Sequence, residues 1–146
     1  MLRRSFRLRA PAILALVCLA AGGCGDVLSD RVAVHPVKGS VSFQGQPLVG
    51  AFLSLHSKGT PPDSPAPRAS VNPDGTFELS TYEGSDGAPE GEYVVTVKWY
   101  KPVKVRGEFV SGPNALPLKY SNPQSSDIEV KVASGENQLP PIQLKR

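Results

Sequence analysis

The sequence predicts an all-β protein, a seven-stranded antiparallel β-sandwich, and three observations carry that prediction. Apolar and polar residues alternate with period two in one short segment after another, the mark of a half-buried strand. Of the 146 residues, 15 are proline and 14 are glycine, a density that would interrupt every long helix. No segment shows a helical period, while 40% hydrophobic residues is enough to build a core. The length fits one domain and excludes a large two-domain enzyme.

Residues 1–36 precede the strand pattern, and the first 24 of them read as an address. Arg3, Arg4, Arg7 and Arg9 open the chain, Ala10 to Ala21 carries no charge, and Gly22 and Gly23 lead to Cys24. A basic start, a short apolar run and small residues before a cut site make a secretory signal. The run is too short for a bilayer core of about 30 Å, which takes roughly 20 apolar residues. Its end resembles the bacterial lipobox, in which the cysteine thiol receives a diacylglyceryl group before cleavage, with Ala21 standing where leucine is usual. Residues 1–23 are therefore expected to be a lipoprotein-type signal peptide and residues 24–36 a lipid anchor and tether. The expected covalent lipid sits on Cys24, and no other cofactor is expected. Arg3-Arg4-Ser5-Phe6 also matches the core of a twin-arginine signal, which leaves the export route open.

Removing that segment changes the electrostatics. Four arginines leave and no acid does, so 16 Lys+Arg become 12 against 13 Asp+Glu, and the formal charge passes from +3 to −1. The basic excess that would suggest nucleic acid belongs to the signal, and no nucleic-acid partner is expected. Cys18 leaves as well, so the exported domain has neither a disulfide nor a thiolate metal site and must stand on its core.

The strands follow in order from Val37. Val37, Gly39, Val41 and Phe43 share one face, and Gln44-Gly45-Gln46-Pro47 turns the chain. Ala51, Leu53 and Leu55 alternate with Phe52, Ser54 and His56. The proline-rich stretch from Lys58 to Pro67 cannot be a central strand. Arg68 to Val71 leads into Asn72-Pro73-Asp74-Gly75, where proline presets one backbone angle, Asp bonds its own backbone and glycine takes a positive φ. Phe77 and Leu79 follow on one face. Tyr93, Val95, Val97 and Trp99 make the strongest strand, then Ile128, Val130 and Val132, and last Ile142 and Leu144. Two sheets packed face to face would bury Val41, Phe43, Leu53, Leu55, Phe77, Leu79, Val95, Val97, Ile128, Val130, Ile142 and Leu144.

Gly39-Ser40-Val41, Gly45-Gln46-Pro47-Leu48, Gly50-Ala51, Asn72-Pro73-Asp74-Gly75-Thr76-Phe77 and Gly91-Glu92-Tyr93-Val94-Val95-Thr96-Val97 occur in that order. The series resembles the carboxypeptidase regulatory-like domain, a sandwich similar to transthyretin (prealbumin-like, with Ig-like packing). The run Leu116-Pro117-Leu118-Lys119-Tyr120 resembles small bacterial lipoproteins that carry one such domain. The resemblance covers roughly residues 35–146, with the domain itself placed at 37–146. It implies a non-catalytic module, with Gly45 and Gly75 at turns, Tyr93 at a strand start and Phe77 in the core.

Little in the sequence points to chemistry. His35 and His56 are the only histidines, too few for a zinc site, which takes three or four convergent ligands. The hydrolases on the transthyretin fold that open 5-hydroxyisourate carry a Tyr-Arg-Gly-Ser tail, whereas this sequence reads Ile142-Gln143-Leu144-Lys145-Arg146 there. No Gly-x-Ser-x-Gly elbow or phosphate loop occurs. The acidic segment 83–92 offers Glu83, Asp86, Glu90 and Glu92 as oxygen ligands for calcium, without EF-hand spacing. The stretch 101–126 reads as a crossover without strands of its own, pinned to the sandwich by Leu116 and Tyr120, with a binding loop that opens on Lys101, Lys104 and Arg106 as the alternative. The expected protein is an exported lipoprotein on the periplasmic or outer face of a bacterial membrane. It would bind or scaffold without catalysing, with the lipid bilayer as one partner and an envelope protein or glycan as another. The alternative is a carbohydrate-binding module, and a transthyretin-like hydrolase is the third reading. Ligand-facing aromatic residues would be Tyr82, Trp99, Tyr100, Phe109 and Tyr120.

Overall fold

The alternation that begins at Val37 becomes the central strand of one of two packed sheets. The computed structural model describes residues 31–59 and 65–146, which contain one compact unit, Val32–Arg146. The expected signal peptide and Cys24 lie outside the described residues. Among those residues no helix is long and apolar enough to cross a membrane.

In chain order the strands are β1 (Val34–His35), β2 (Val37–Phe43), β3 (Gln46–Pro47), β4 (Phe52–Ser57), β5 (Arg68–Ser70), β6 (Thr76–Glu78) and β7 (Ala88–Pro89). They continue with β8 (Gly91–Lys98), β9 (Tyr100–Val105), β10 (Glu108–Asn114), β11 (Glu129–Val132), β12 (Asn137–Gln138) and β13 (Ile142–Leu144), with a 3-10 turn at Leu118–Ser121. One sheet has the order β11-β8-β4-β5, all antiparallel. The other is built on β2, which pairs with β6 and β3 along one edge and with β12 and β13 along the other. A bridge between Arg68 and Ser80 joins the two sheets at the β5–β6 side.

Each segment predicted as a strand contains one, and its apolar face is the buried face. Val41, Leu53, Leu55, Phe77, Leu79, Val95, Val97, Val130, Ile142 and Leu144 form the core, with Phe43 and Ile128 partly buried against it. Gly39 makes room for its cross-strand partner in the same sheet, because a Cβ there would come within 2.5 Å of the Phe77 ring. The Asn72–Gly75 turn closes as its residues dictate. Gly75 takes φ 86°, and the Asp74 carboxylate accepts from the Thr76 amide at 2.9 Å.

Three expectations change. The sandwich is not wholly antiparallel, since β12 and β13 run parallel to β2. The chain reaches them by crossing from β11 in the other sheet, and a crossover, unlike a hairpin, does not force opposite directions. The folded unit begins at Val32 rather than at residue 37. The predicted tether includes β1, which pairs with β7, and Gly87 there lies so close to His35 that a Cβ would overlap its carbonyl. A two-residue strand is too short to show alternation, which is why the sequence hid it. Most importantly, the stretch 101–126 holds a hairpin, β9–β10, in place of a strandless crossover.

Candidate functional site

The hairpin forms because two strands' worth of alternating residues flank Arg106-Gly107. Those two residues take φ 52° and 93°, both in the left-handed region that a two-residue turn of the I′ kind demands. Val105 pairs with Glu108, Lys104 with Phe109, Val103 with Val110 and Pro102 with Ser111, and the register then shifts at a bulge before Asn114 meets Tyr100. β9 and β10 make a sheet of two strands only. Among the described residues both outer edges are therefore without ladder partners, and Pro102 and Pro113 are tolerated where a central strand would reject them.

Directly paired residues share a face. One face of the hairpin carries Val103, Val105 and Val110, and the other carries Tyr100, Pro102, Lys104 and Phe109. Every residue of β9 is exposed, and Phe109 at 75% is among the most exposed large apolar side chains in the unit. Nine large apolar side chains stand exposed among the described residues, and five of them belong to the hairpin: Tyr100, Val103, Val105, Phe109 and Val110. Three more flank its base. Val49 accepts the Trp99 indole hydrogen bond at 2.9 Å, Phe52 pairs with Lys98, and Leu118 lies in the 3-10 turn beside Asn114. Scattered single exposures need no explanation, but eight of nine gathered on and around one hairpin make it the candidate interaction surface.

Charge gathers there too. Lys101, Lys104 and Arg106 are exposed. Lys101 Nζ lies 4.1 Å above the Trp99 ring and Lys104 Nζ 5.9 Å from that of Phe109. None of these three cations pairs with a carboxylate of a described residue, whereas Lys38, Lys58 and Lys119 do.

Asn114 fixes the hairpin to the sandwich. Its side-chain oxygen accepts from the Trp99 amide at 2.8 Å and the Leu116 amide at 3.3 Å, and its amide donates to Ser121 Oγ at 2.8 Å. The hairpin therefore leaves the unit at the Lys98 end of β8. The chain enters the unit at the opposite end, where the Val32 amide donates to the Tyr82 hydroxyl and β1 pairs with β7 just before Gly91. The eight residues of β8 put about 26 Å between those two poles.

The residues singled out as ligand-facing are not all brought together. Trp99, Tyr100 and Phe109 share the hairpin pole, with Trp99 partly buried against the core. Tyr82 sits at the entry pole, beside Val32. Tyr120 is 3% exposed and faces inward, its hydroxyl donating to the Lys145 carbonyl and accepting from the Lys145 amide, both at 3.1 Å. It closes the end of the sandwich and cannot stack on a ligand. A lone aromatic in a proline-rich stretch has no period to betray its direction.

Within the acidic segment, Asp86 is likewise committed to local backbone. Asp86 accepts from the amides of Thr81 at 2.7 Å, Tyr82 at 3.0 Å and Glu83 at 2.9 Å. Burial works against its charge, and these donors outweigh that cost, holding its carboxyl below the ordinary carboxylate range. Among the described residues no three His, Cys, Asp or Glu converge on a metal-sized site. His56 lies apart on β4, where its Nε2 meets Thr96 Oγ1 at 2.9 Å.

No family model matches the chain, and none of the curated proteins matches it. Solved structures that it resembles include a candidate carbohydrate binding protein from Pseudomonas aeruginosa, 12% identical, with a TM-score of 0.43 over 80% of this chain and 90% of that one. A DUF3823 family protein from Parabacteroides merdae is 20% identical, with a TM-score of 0.41 over 79% of this chain and 46% of that one. A 9R-lipoxygenase from Cyanothece is 12% identical, with a TM-score of 0.40 over 77% of this chain and 16% of its own.

Proposed function

We propose that this chain is a lipid-anchored binding module of a bacterial envelope, of the carboxypeptidase regulatory-like kind, and that its binding surface is the β9–β10 pole. The signal at residues 1–23 exports it, Cys24 carries the lipid, and the sandwich serves as a rigid, non-catalytic stand. The observation that carries this reading is the gathering of exposed apolar side chains and uncompensated cations on one hairpin. Interfaces draw on aromatic and arginine side chains in this way, with the scaffold behind them rigid. The Gly91 pole, where the chain enters, is the end nearer the anchor in sequence, which leaves the hairpin pole to meet a partner.

Two measurements test the reading. Cys24→Ala is expected to move the protein from the membrane fraction to the soluble one when membranes are washed at high salt, which releases charge-held proteins but not lipid-anchored ones. A photo-crosslinker at position 109 is expected to capture an envelope component that the same group at Lys131, exposed on β11, does not. Membrane retention of the Cys24 variant through the high-salt wash would overturn the anchor. Equal capture from both positions would overturn the hairpin as the binding surface.

A further inference from the structure

We propose that the partner of the hairpin pole is an anionic phospholipid surface, an inference that rests on the hairpin being the binding surface. Two observations select a lipid phase over a second macromolecule. The first is that apolar side chains stand on both faces of the same hairpin, Val103, Val105 and Val110 on one and Tyr100, Pro102 and Phe109 on the other. A bilayer that closes around the tip takes the apolar side chains of both faces out of water together, which docking on one face alone does not. The second is where the charge sits. Lys101, Lys104 and Arg106 interleave with those side chains around the turn, and Glu108 is the one acid within the hairpin. Long cationic side chains can lay their stems along apolar surface and hold their heads at phosphate level, and anionic lipid attracts such a cluster.

The hairpin pole lies at the end of β8 opposite the entry of the chain. Contact there would add a second attachment to lipid, at the end of β8 away from Val32. A covalent lipid together with a basic patch is the combination that turns reversible membrane contact into stable attachment.

The experiment uses chains beginning at residue 25, which keep the whole Val32–Arg146 unit and its core without signal or lipid. They are mixed with vesicles of phosphatidylcholine, alone or with phosphatidylglycerol, and bound protein is separated by sedimentation. Binding is expected only with phosphatidylglycerol and is expected to weaken as salt rises. Lys104→Gln with Arg106→Gln should weaken it roughly 30-fold, from about 1 kcal/mol for each cation near an anionic surface. Phe109→Ser should weaken it roughly tenfold or more, from the apolar burial lost. Phe109→Trp should show emission quenched by brominated lipids, and each variant should melt like the parent.

Equal binding to neutral vesicles, or binding indifferent to both hairpin variants, overturns the inference. Absence of vesicle binding while position 109 still captures an envelope component also overturns it, yet leaves the binding pole standing. Absence of both removes the two readings together.

Discussion

β8 and β9 are consecutive strands separated by Trp99 alone, yet they meet opposite fates. Tyr93, Val95 and Val97 of β8 are buried between two sheets, and every residue of β9 is exposed. Both strands are rich in valine and both alternate. What differs is the layer available to cover them. β8 lies between β4 and β11 in a sheet with another sheet over its face, while β9 has only β10. A two-stranded ribbon without a covering layer is marginal by itself in water. Alternation therefore predicts that a segment is a strand without saying whether the fold or a partner will cover it. One half of the molecule uses apolar side chains for stability, and the other presents them outward.

The largest way to test that division is to place a charge on the covered side. Leu55 is 1% exposed and pairs with Val95 across the four-stranded sheet. Leu55→Asp would strand an unpaired carboxylate in the core, at a cost of several kcal/mol against a total stability of about 5–15 kcal/mol. The expected result is a chain that shows no cooperative melt by circular dichroism. A melt like that of the parent would mean that β4 is not a core strand, and the distinction between the two regions would collapse.

How far the sequence reveals the molecule divides along the same line. The segments that became β2, β4, β5, β6, β8, β11 and β13 were legible because period two and turn chemistry agree there, as at Asn72–Gly75. Their pairing was less so. Nothing local in Ile142–Leu144 says that it will lie parallel to Val41–Phe43, because direction is set by a crossover through residues far apart in the chain. The hairpin was hidden for a different reason. Arg106-Gly107 is not one of the usual Asn-Gly or Asp-Gly turns, and Pro102 and Pro113 argue against strands unless both edges stand open. Of the candidate site, Trp99, Tyr100 and Phe109 could be picked out as aromatic residues, but their grouping depended on a hairpin that carried no familiar mark. Alternation turned Phe52 away from the core without saying that it would stand beside the hairpin, and Val49 and Leu118, from two other segments, had no signal at all.

A smaller effect is expected where the two regions join. Asn114→Ala removes the acceptor of the Trp99 and Leu116 amides, at roughly 1–3 kcal/mol for buried donors left unsatisfied. If the hairpin is an appendage, that loss falls on it. Amide hydrogen exchange should quicken across 100–114 while the amides of Leu55 and Val95 keep their protection, since local opening need not involve the whole unit. Equal acceleration in β4 and β8 would show that hairpin and sandwich unfold as one body.

The smallest expected effect lies inside the sandwich, at His56. Its ring is partly buried on β4 against Thr96, and desolvation first and the Lys98 charge second hold its pKa below the ordinary 6.5. As pH falls through 6.5, the unfolded chain takes up a proton that the folded ring declines, so protons favour unfolding. The contribution of His56 is thus fully present above 6.5 and is lost progressively toward the lower folded value. For a partly exposed ring the slope is a fraction of about 1.4 kcal/mol per pH unit. Urea midpoints measured on both sides of 6.5 should fall with acid in the parent and level out in His56→Gln. Hairpin variants such as Phe109→Ser should keep the parent slope, because Phe109 is largely exposed and belongs to a different sheet from His56. A slope that survives His56→Gln, or one that Phe109→Ser abolishes, would place the acid sensitivity outside the sandwich and undo the separation on which the binding pole rests.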